Sequence, residues 1–314
     1  METKLSLAPL QGITDYIFRN SFNYYFGNID TYYCPFIRIE KGDIRKSKIR
    51  DFSIENNNKM NFIPQILTND KEEFIQLASM LSKNYSEINW NLGCPFPMVA
   101  KHNLGSGLLD KPELIDDILK HAFENLDCKI SIKLRSGYKS EEDIMNLIPV
   151  LNNYNLSELI IHPRLGIQQY KGEANLDIVK KVSEVYKNKI SYNGDIINKE
   201  SFENIQNELP NINSYMLGRG LIANPFLAQE IKGITTDVDK LELFKEFHAD
   251  LLNRYSNLLN GDTQILKRMQ GFWEYFSLSF TNSHKTHKKI KKASNASKYI
   301  NAINQIFKEE KWIS

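Results

Sequence analysis

Cysteine is scarce in this chain, and what there is does not pair. Cys34, Cys94 and Cys128 are an odd number, without recurring spacing or a neighbouring histidine cluster, so neither a disulfide framework nor a zinc site is implied. No stretch approaches the ~18 consecutive apolar residues of a membrane-spanning helix. The start, Met1-Glu2-Thr3-Lys4, runs straight into a strand-like segment and lacks the charged and apolar regions of an export signal. A cytoplasmic protein with no membrane contact and no metal is expected. A glycine-rich first turn is also missing, which argues against a doubly wound dinucleotide fold. The chain is not short of core material: 41% of its residues are hydrophobic and 25% charged, unlike a disordered chain. The net charge is only +2, but it is unevenly spread. From residue 240 onward there are 13 Lys or Arg against 7 Asp or Glu, so the tail is the basic end.

Short β-branched or aromatic runs alternate with amphipathic ones. Eight strands are expected, at Leu5 to Ala8, Thr31 to Ile37, Phe62 to Ile66, Glu87 to Asn91, Ile130 to Leu134, Leu159 to His162, Ile190 to Tyr192 and Tyr215 to Leu217. Helical periodicity lies between most of them, at Asp70 to Lys83, Pro112 to Asn125, Ser140 to Asn152, Leu176 to Lys187 and Lys199 to Asn207, each opening near a capping residue or Pro. Eight βα units in this length predict an α/β fold, a (β/α)8 TIM barrel over residues 1–239. The rhythm then stops. Residues 240–314 read as an all-α helical domain, with helices at Leu241 to Leu259, Gln264 to Ser279 and Asn295 to Lys308.

Polar residues follow the strand cores: Gln11, Gln65, Asn91, Lys133, Arg135, His162, Asn193, Asp195 and Arg219. In a TIM barrel such positions converge on the C-terminal mouth, where active sites are built. Turn chemistry alone explains glycines such as Gly12, Gly166 and Gly220, but it explains Gln65, Lys133 and His162 poorly. An unpaired lysine inside an apolar run is costly to bury. For His162 a satisfied core histidine is the lesser alternative. In the tail, Lys285, Lys288, Lys289, Lys291 and Lys292 crowd into one short run; the plain alternative is a solvated surface, but beside an enzyme mouth they become candidates for RNA backbone contacts.

Three segments, in order, resemble the tRNA-dihydrouridine synthase family: Leu7-Ala8-Pro9-Leu10-Gln11-Gly12-Ile13-Thr14-Asp15-Tyr16-Ile17-Phe18-Arg19, Asn91-Leu92-Gly93-Cys94-Pro95 and Ile132-Lys133-Leu134-Arg135-Ser136-Gly137. The resemblance continues through His162-Pro163-Arg164, Tyr170-Lys171-Gly172, Asn193-Gly194-Asp195 and Gly218-Arg219-Gly220; in the tail it extends only to length and helical character. It implies reduction of the uracil C5=C6 bond in tRNA, with FMN as cofactor and NADPH as reductant, by a protein expected to be a monomer. It also implies that Cys94 is the proton donor to C5. Pro9, Leu10 and Gln11 would lie along the flavin, Gln65 would hydrogen-bond its ring, and Lys133 would face the N1/O2 side. His162 would sit near the flavin or its phosphate, which Asn193, Gly194, Asp195, Gly218 and Arg219 would hold. Asn91 and Tyr170 would hold the extruded uracil.

The chain departs from the family pattern at Pro163 and Leu165, which bears on Arg164. The glycines closing the loop after Cys94, Gly105 and Gly107, suit a lid. Two other readings compete: an FMN oxidoreductase acting on a free pyrimidine, which would not need the basic tail, and a barrel that binds RNA without catalysis. If the tail lysines do not bind RNA, the barrel rim around Arg38, Lys101 and Arg164 is the next candidate.

Overall fold

A computed structural model describes residues 2–314, apart from the side chains of residues 46 and 47. Nine parallel strands run as β1 (Lys4–Leu7), β2 (Thr31–Tyr33), β3 (Phe62–Ile63), β4 (Gln65–Ile66), β5 (Glu87–Leu92), β6 (Lys129–Gly137), β7 (Leu159–Leu165), β8 (Ile190–Asn193) and β9 (Ser214–Leu217). Their order is β3-β2-β1-β9-β8-β7-β6-β5-β4. The two ends of that order are consecutive in the chain, with only Pro64 between them. Proline has no N–H to give to a ladder, so one strand registers as two. Its first half pairs with β2 and its second with β5, which closes an eight-stranded barrel as expected.

Alternation along each strand sorts the side chains. Ile130, Ile132 and Leu134 of β6 point outward under the helices and are buried there, while Ser131, Lys133 and Arg135 point inward. Three layers fill the interior. At the bottom, the Glu158 carboxylate accepts from Tyr33, Ser191 and Ser214 and pairs with Lys189. Above it, Ala8, Tyr33, Ile63, Ile160 and Met216 form an apolar plug. The top layer is polar and open, and it is the mouth. Layering of this kind makes a barrel a packed core rather than a pore.

The helices start where capping chemistry places them. Asp70, Asn175, Asn198, Asp239 and Asn295 each accept a backbone hydrogen bond from the first turn that follows. Two expectations need correction. The second strand ends at Tyr33 rather than Ile37, because Pro35 interrupts the ladder, and Ile37 returns only as a single bridge to Ile66. The lysine run, which falls outside the three helices expected in the tail, forms a fourth, Ser283–Lys291, which buries Thr286 and Ile290 and turns most of its cations outward.

The tail thus has four helices: Lys240–Leu258, Asp262–Phe276, Ser283–Lys291 and Ala296–Glu309. Its core is aromatic and continuous with that of the barrel. Phe18, on the first helix (Tyr16–Tyr25), stacks on Phe272 with centroids 5.5 Å apart and meets Phe247 edge-on at 5.9 Å. Among the described residues, no helix is long and apolar enough to cross a membrane, and no cluster of His, Cys, Asp and Glu could hold a metal.

Candidate active site at the barrel mouth

The strand register decides which side chains meet. Asn91 lies opposite Lys133 across β5 and β6, Arg135 opposite His162 across β6 and β7, and Asn193 opposite Met216 across β8 and β9. Together with the loops after β1 and β2 they surround a cavity of about 950 Å³, counting the space open to solvent. Pro9, Leu10, Gln11, Asn91, Cys94, Lys133, His162, Tyr170, Asn193, Gly194, Asp195, Gly218 and Arg219 all line it.

Gln65 is the exception. It is fully buried one layer beneath the wall, with both ends of its amide engaged. Its Nε2 donates to Asn89 Oδ1 at 2.7 Å, and its Oε1 accepts from Asn91 Nδ2 at 2.7 Å. Asn89 in turn donates to Ser131 at 2.9 Å. This relay fixes Asn91, whose Oδ1 accepts the backbone N–H groups of Gly93 and Cys94 at 3.0 and 2.9 Å. Gln65 therefore steadies Asn91 and, through it, the cysteine. One Asn91 Nδ2 hydrogen is left over, directed by the relay rather than free to rotate.

Cys94 is partly buried, and burial raises its thiol above the ordinary value despite the cations of Arg135, Arg38 and Lys133 nearby. The thiol keeps its proton at neutral pH. The loop that follows is clamped at its neck: the Cys94 carbonyl accepts both the N–H and the hydroxyl of Ser106, at 3.1 and 3.0 Å. A Cβ on Gly105 would lie 2.7 Å from that of Cys94, and one on Gly107 would lie 2.1 Å from the Ala100 carbonyl oxygen. These glycines, expected to suit a lid, allow close packing at the neck of the loop.

Lys133 opens onto the cavity, and among the described residues no protein anion pairs with it. Burial, reinforced by Arg135, lowers its ammonium from 10.5 to about 7. His162 is held neutral, well below 6.5, by burial and by the cations of Lys133, Arg135, Arg164 and Arg219. Its Nε2 lies 3.2 Å from an Arg164 N–H. A guanidinium can only donate, so Nε2 accepts and the proton sits on Nδ1. The single carboxylate of the lining, Asp195, is already taken: Arg164 grips both its oxygens, at 2.9 and 2.5 Å, and Arg219 adds a contact at 3.3 Å. Arg164 is thus 3% exposed and no part of the rim, contrary to its expected place in an alternative RNA surface. Tyr170, half exposed, lies beneath the Arg219 guanidinium at 4.5 Å and near that of Arg135 at 5.4 Å.

The cavity therefore carries basic groups at both ends, Lys133 on one side and Arg219, which shares Asp195 with Arg164, on the other. Gly218 opens the short helix Arg219–Ala223, and a Cβ on Gly220 would strike the Ile196 carbonyl oxygen at 2.1 Å, so the loops after β8 and β9 meet only because that residue is glycine. This is the corner where TIM barrels hold phosphate. Arg135, Pro35, Phe36 and Ile197 also line the cavity and were not singled out as site residues. For Arg135 the signal was present: it follows Lys133 by two residues on a strand, hence on the same face.

The model of the dihydrouridine synthase family matches residues 6–311. The chain belongs to that family. Among curated proteins it is 27% identical over 273 residues to tRNA-dihydrouridine synthase B of Pasteurella multocida, covering 86% of this chain and 80% of that one. It is 28% identical over 258 residues to tRNA-dihydrouridine(16) synthase of Neisseria meningitidis, covering 78% and 77%. Of solved structures, morphinone reductase aligns with a TM-score of 0.52 and 11% identity over 77% of this chain and 88% of that one. A variant of NCR from Zymomonas mobilis gives 0.50 and 13% over 75% and 89%. At such identities these two speak for the barrel alone.

Proposed function

We propose that this dihydrouridine synthase reduces uridine in tRNA to 5,6-dihydrouridine, with FMN as cofactor, NADPH as reductant and Cys94 as the proton donor. The observation that carries the reading is the pairing, in one cavity, of a thiol kept protonated by burial with a lysine that lacks any protein counter-ion. Bound FMN, once reduced by NADPH, supplies hydride to C6 of the uracil.

The residues present fit such a group. Lys133 offers an ammonium that only an incoming negative charge can satisfy, as a flavin's N1/O2 side provides on reduction. Pro9, Leu10 and Gln11 offer an edge for the ring, while Asn193, Gly194, Gly218 and Arg219 suit its phosphate. Asp195 supports that end indirectly by holding the Arg164 and Arg219 guanidinium groups in place. Asn91 can present its remaining N–H to a uracil carbonyl, and Tyr170 can close the pocket edge. The Cys94 S–H donates to C5 as the C5=C6 bond is consumed, leaving a thiolate that Arg135 and Lys133 stabilise until it is reprotonated from solvent. Residues 1–239 would carry the chemistry. Residues 240–314 would grip the RNA, through Lys288, Lys291 and Lys292 above all, since Lys285 and Lys289 pair with Glu310 and Glu309 at 3.5 and 3.4 Å.

The test is an absorbance spectrum followed by a two-step assay. The purified protein should carry a flavin spectrum, and Cys94→Ala should still be reduced by NADPH while dihydrouridine formation falls by roughly 10²- to 10⁴-fold. A protein that stays colourless with added FMN, or a variant that turns over RNA at the wild-type rate, would overturn the assignment.

A further inference from the structure

The loop that carries Cys94 presents an aromatic side chain that the chemistry above leaves unused. Residues 95–105 leave and return to one point, where Ser106 holds the Cys94 carbonyl. Within the loop Val99 and Ala100 pack inward, while Phe96 and Met98 stand 60% and 57% exposed. Phe96 is only two residues from the thiol, and its backbone N–H faces the Cys94 sulfur. Prolines 95 and 97 bracket it. The helical region is disfavoured before proline, and Phe96 sits outside it at φ −61° and ψ 124°. The ring is thus exposed next to Cys94 and Pro95, which line the cavity, on a backbone with little freedom, so less chain ordering opposes binding. No acidic residue occurs from Gly93 to Leu109, and Lys101 on the same loop is exposed and, among the described residues, makes no ion pair, which suits a phosphate-bearing partner.

We propose that Phe96, with Met98 beside it, is a stacking platform for the nucleobase next to the target uridine in single-stranded RNA. The proposal rests on the uridine-reductase reading and deepens it. Swinging a base out of its stack into a cavity strips the neighbouring base of one stacking face and leaves it at the cavity edge. An aromatic ring fixed there replaces the lost face, and it does so for any base, because every base has a π surface.

The experiment compares wild type, Phe96→Leu and Phe96→Trp on a stem-loop RNA, and on the same RNA made abasic at the nucleotide 5′ or 3′ of the target. Leucine keeps the apolar bulk and removes the π face. Phe96→Leu should raise KM for RNA roughly 5- to 10-fold, with kcat and NADPH-driven flavin reduction unchanged. Phe96→Trp should stay near wild type. One of the two abasic substrates should raise the wild-type KM by a similar factor and add nothing in Phe96→Leu. An unmoved KM in Phe96→Leu, or abasic penalties equal in wild type and variant, would overturn the platform. A wild type that reduces no uridine at all would tell against the functional reading itself and take this proposal with it.

Discussion

Replacing Lys133 with Met should act in opposite directions on the empty and the loaded protein. The ammonium falls from 10.5 to about 7 because it is taken out of water beside Arg135 with no counter-ion. Its folded pKa lies below its unfolded one, so the unfolded chain binds more protons between pH 7 and 10.5, and stability from this group rises with pH across that window. The penalty is full below pH 7 and gone above 10.5. At 1.36 kcal/mol per pH unit it is at most about 5 kcal/mol. The side chain lines a cavity that is open to solvent, and screening there brings the cost to about 1–3 kcal/mol. Urea unfolding of flavin-free Lys133→Met at pH 6 should therefore show a gain of that size, shrinking as the pH approaches 10. The loaded protein should lose instead. A charge-assisted hydrogen bond contributes about 1.5–3 kcal/mol, and if it is felt only by the reduced, anionic cofactor the two-electron potential drops by roughly 30–65 mV. A variant no more stable than wild type at pH 6 would show that the ammonium is not strained by burial. An unchanged potential would remove Lys133 from the flavin.

The remaining expectations concern the cysteine, its supporting relay and the tail. Because burial raises the Cys94 thiol above 9.0, single-turnover RNA reduction by Lys133→Met, which lacks the ammonium that titrates near 7, should stay flat through neutral pH and fall as the pH rises past the thiol; a fall centred below pH 8 in that variant would mean another acid is titrating. Gln65→Leu should lower kcat with flavin content intact, since it releases Asn91 and the Cys94 N–H without touching the cavity wall; loss of flavin instead would mean that Gln65 reaches the ring. Changing Lys288, Lys291 and Lys292 together to Gln should flatten the log–log salt dependence of RNA binding by roughly 2 to 3, at roughly 0.7 to 0.9 per phosphate contact, whereas the paired Lys285 and Lys289 should matter less. Affinity equal to wild type at every salt concentration would move the RNA surface off this helix.

Much of this was legible in the residues because barrel strands alternate and their ends converge. The period of two on β6 sends Ile130, Ile132 and Leu134 outward, and with them Lys133 and Arg135 inward, whatever the rest of the chain does. What could not be read was depth and pairing. Gln65 and Asn91 occupy comparable strand ends, yet only the register of β4 against β5 sinks the first below the wall and leaves the second on it. Asp195 and Arg164 lie 31 residues apart in the chain, so nothing local announces that the carboxylate is already satisfied by that arginine. The lysine run failed as a helix signal because only Thr286 and Ile290 face inward, too few apolar positions to set a period.

The same long-range contacts join the tail to the chemistry. Gln270, on the helix Asp262–Phe276, donates to the carbonyls of Ile290 and Ala293, at 3.0 Å each, and so fixes the basic helix against its neighbour. Two residues earlier on that neighbour, Arg268 donates to the Gly12 carbonyl, at the end of the segment whose Pro9, Leu10 and Gln11 line the cavity. Its guanidinium lies over the Tyr255 ring at 5.2 Å, and the Tyr255 hydroxyl donates to Asp15, the cap of the first helix, at 2.6 Å. The outward lysines are thus tied to the cavity wall through packed helices rather than through a flexible linker. A phosphate grip carries no base sequence, but at a fixed distance and angle from a reacting pocket it selects position by shape. If the tail binds RNA as proposed, the uridine reduced is the one that this rigid spacing brings over Cys94, and substitutions at Arg268 or Tyr255 should alter which uridine is modified before they alter the rate at which NADPH is oxidised.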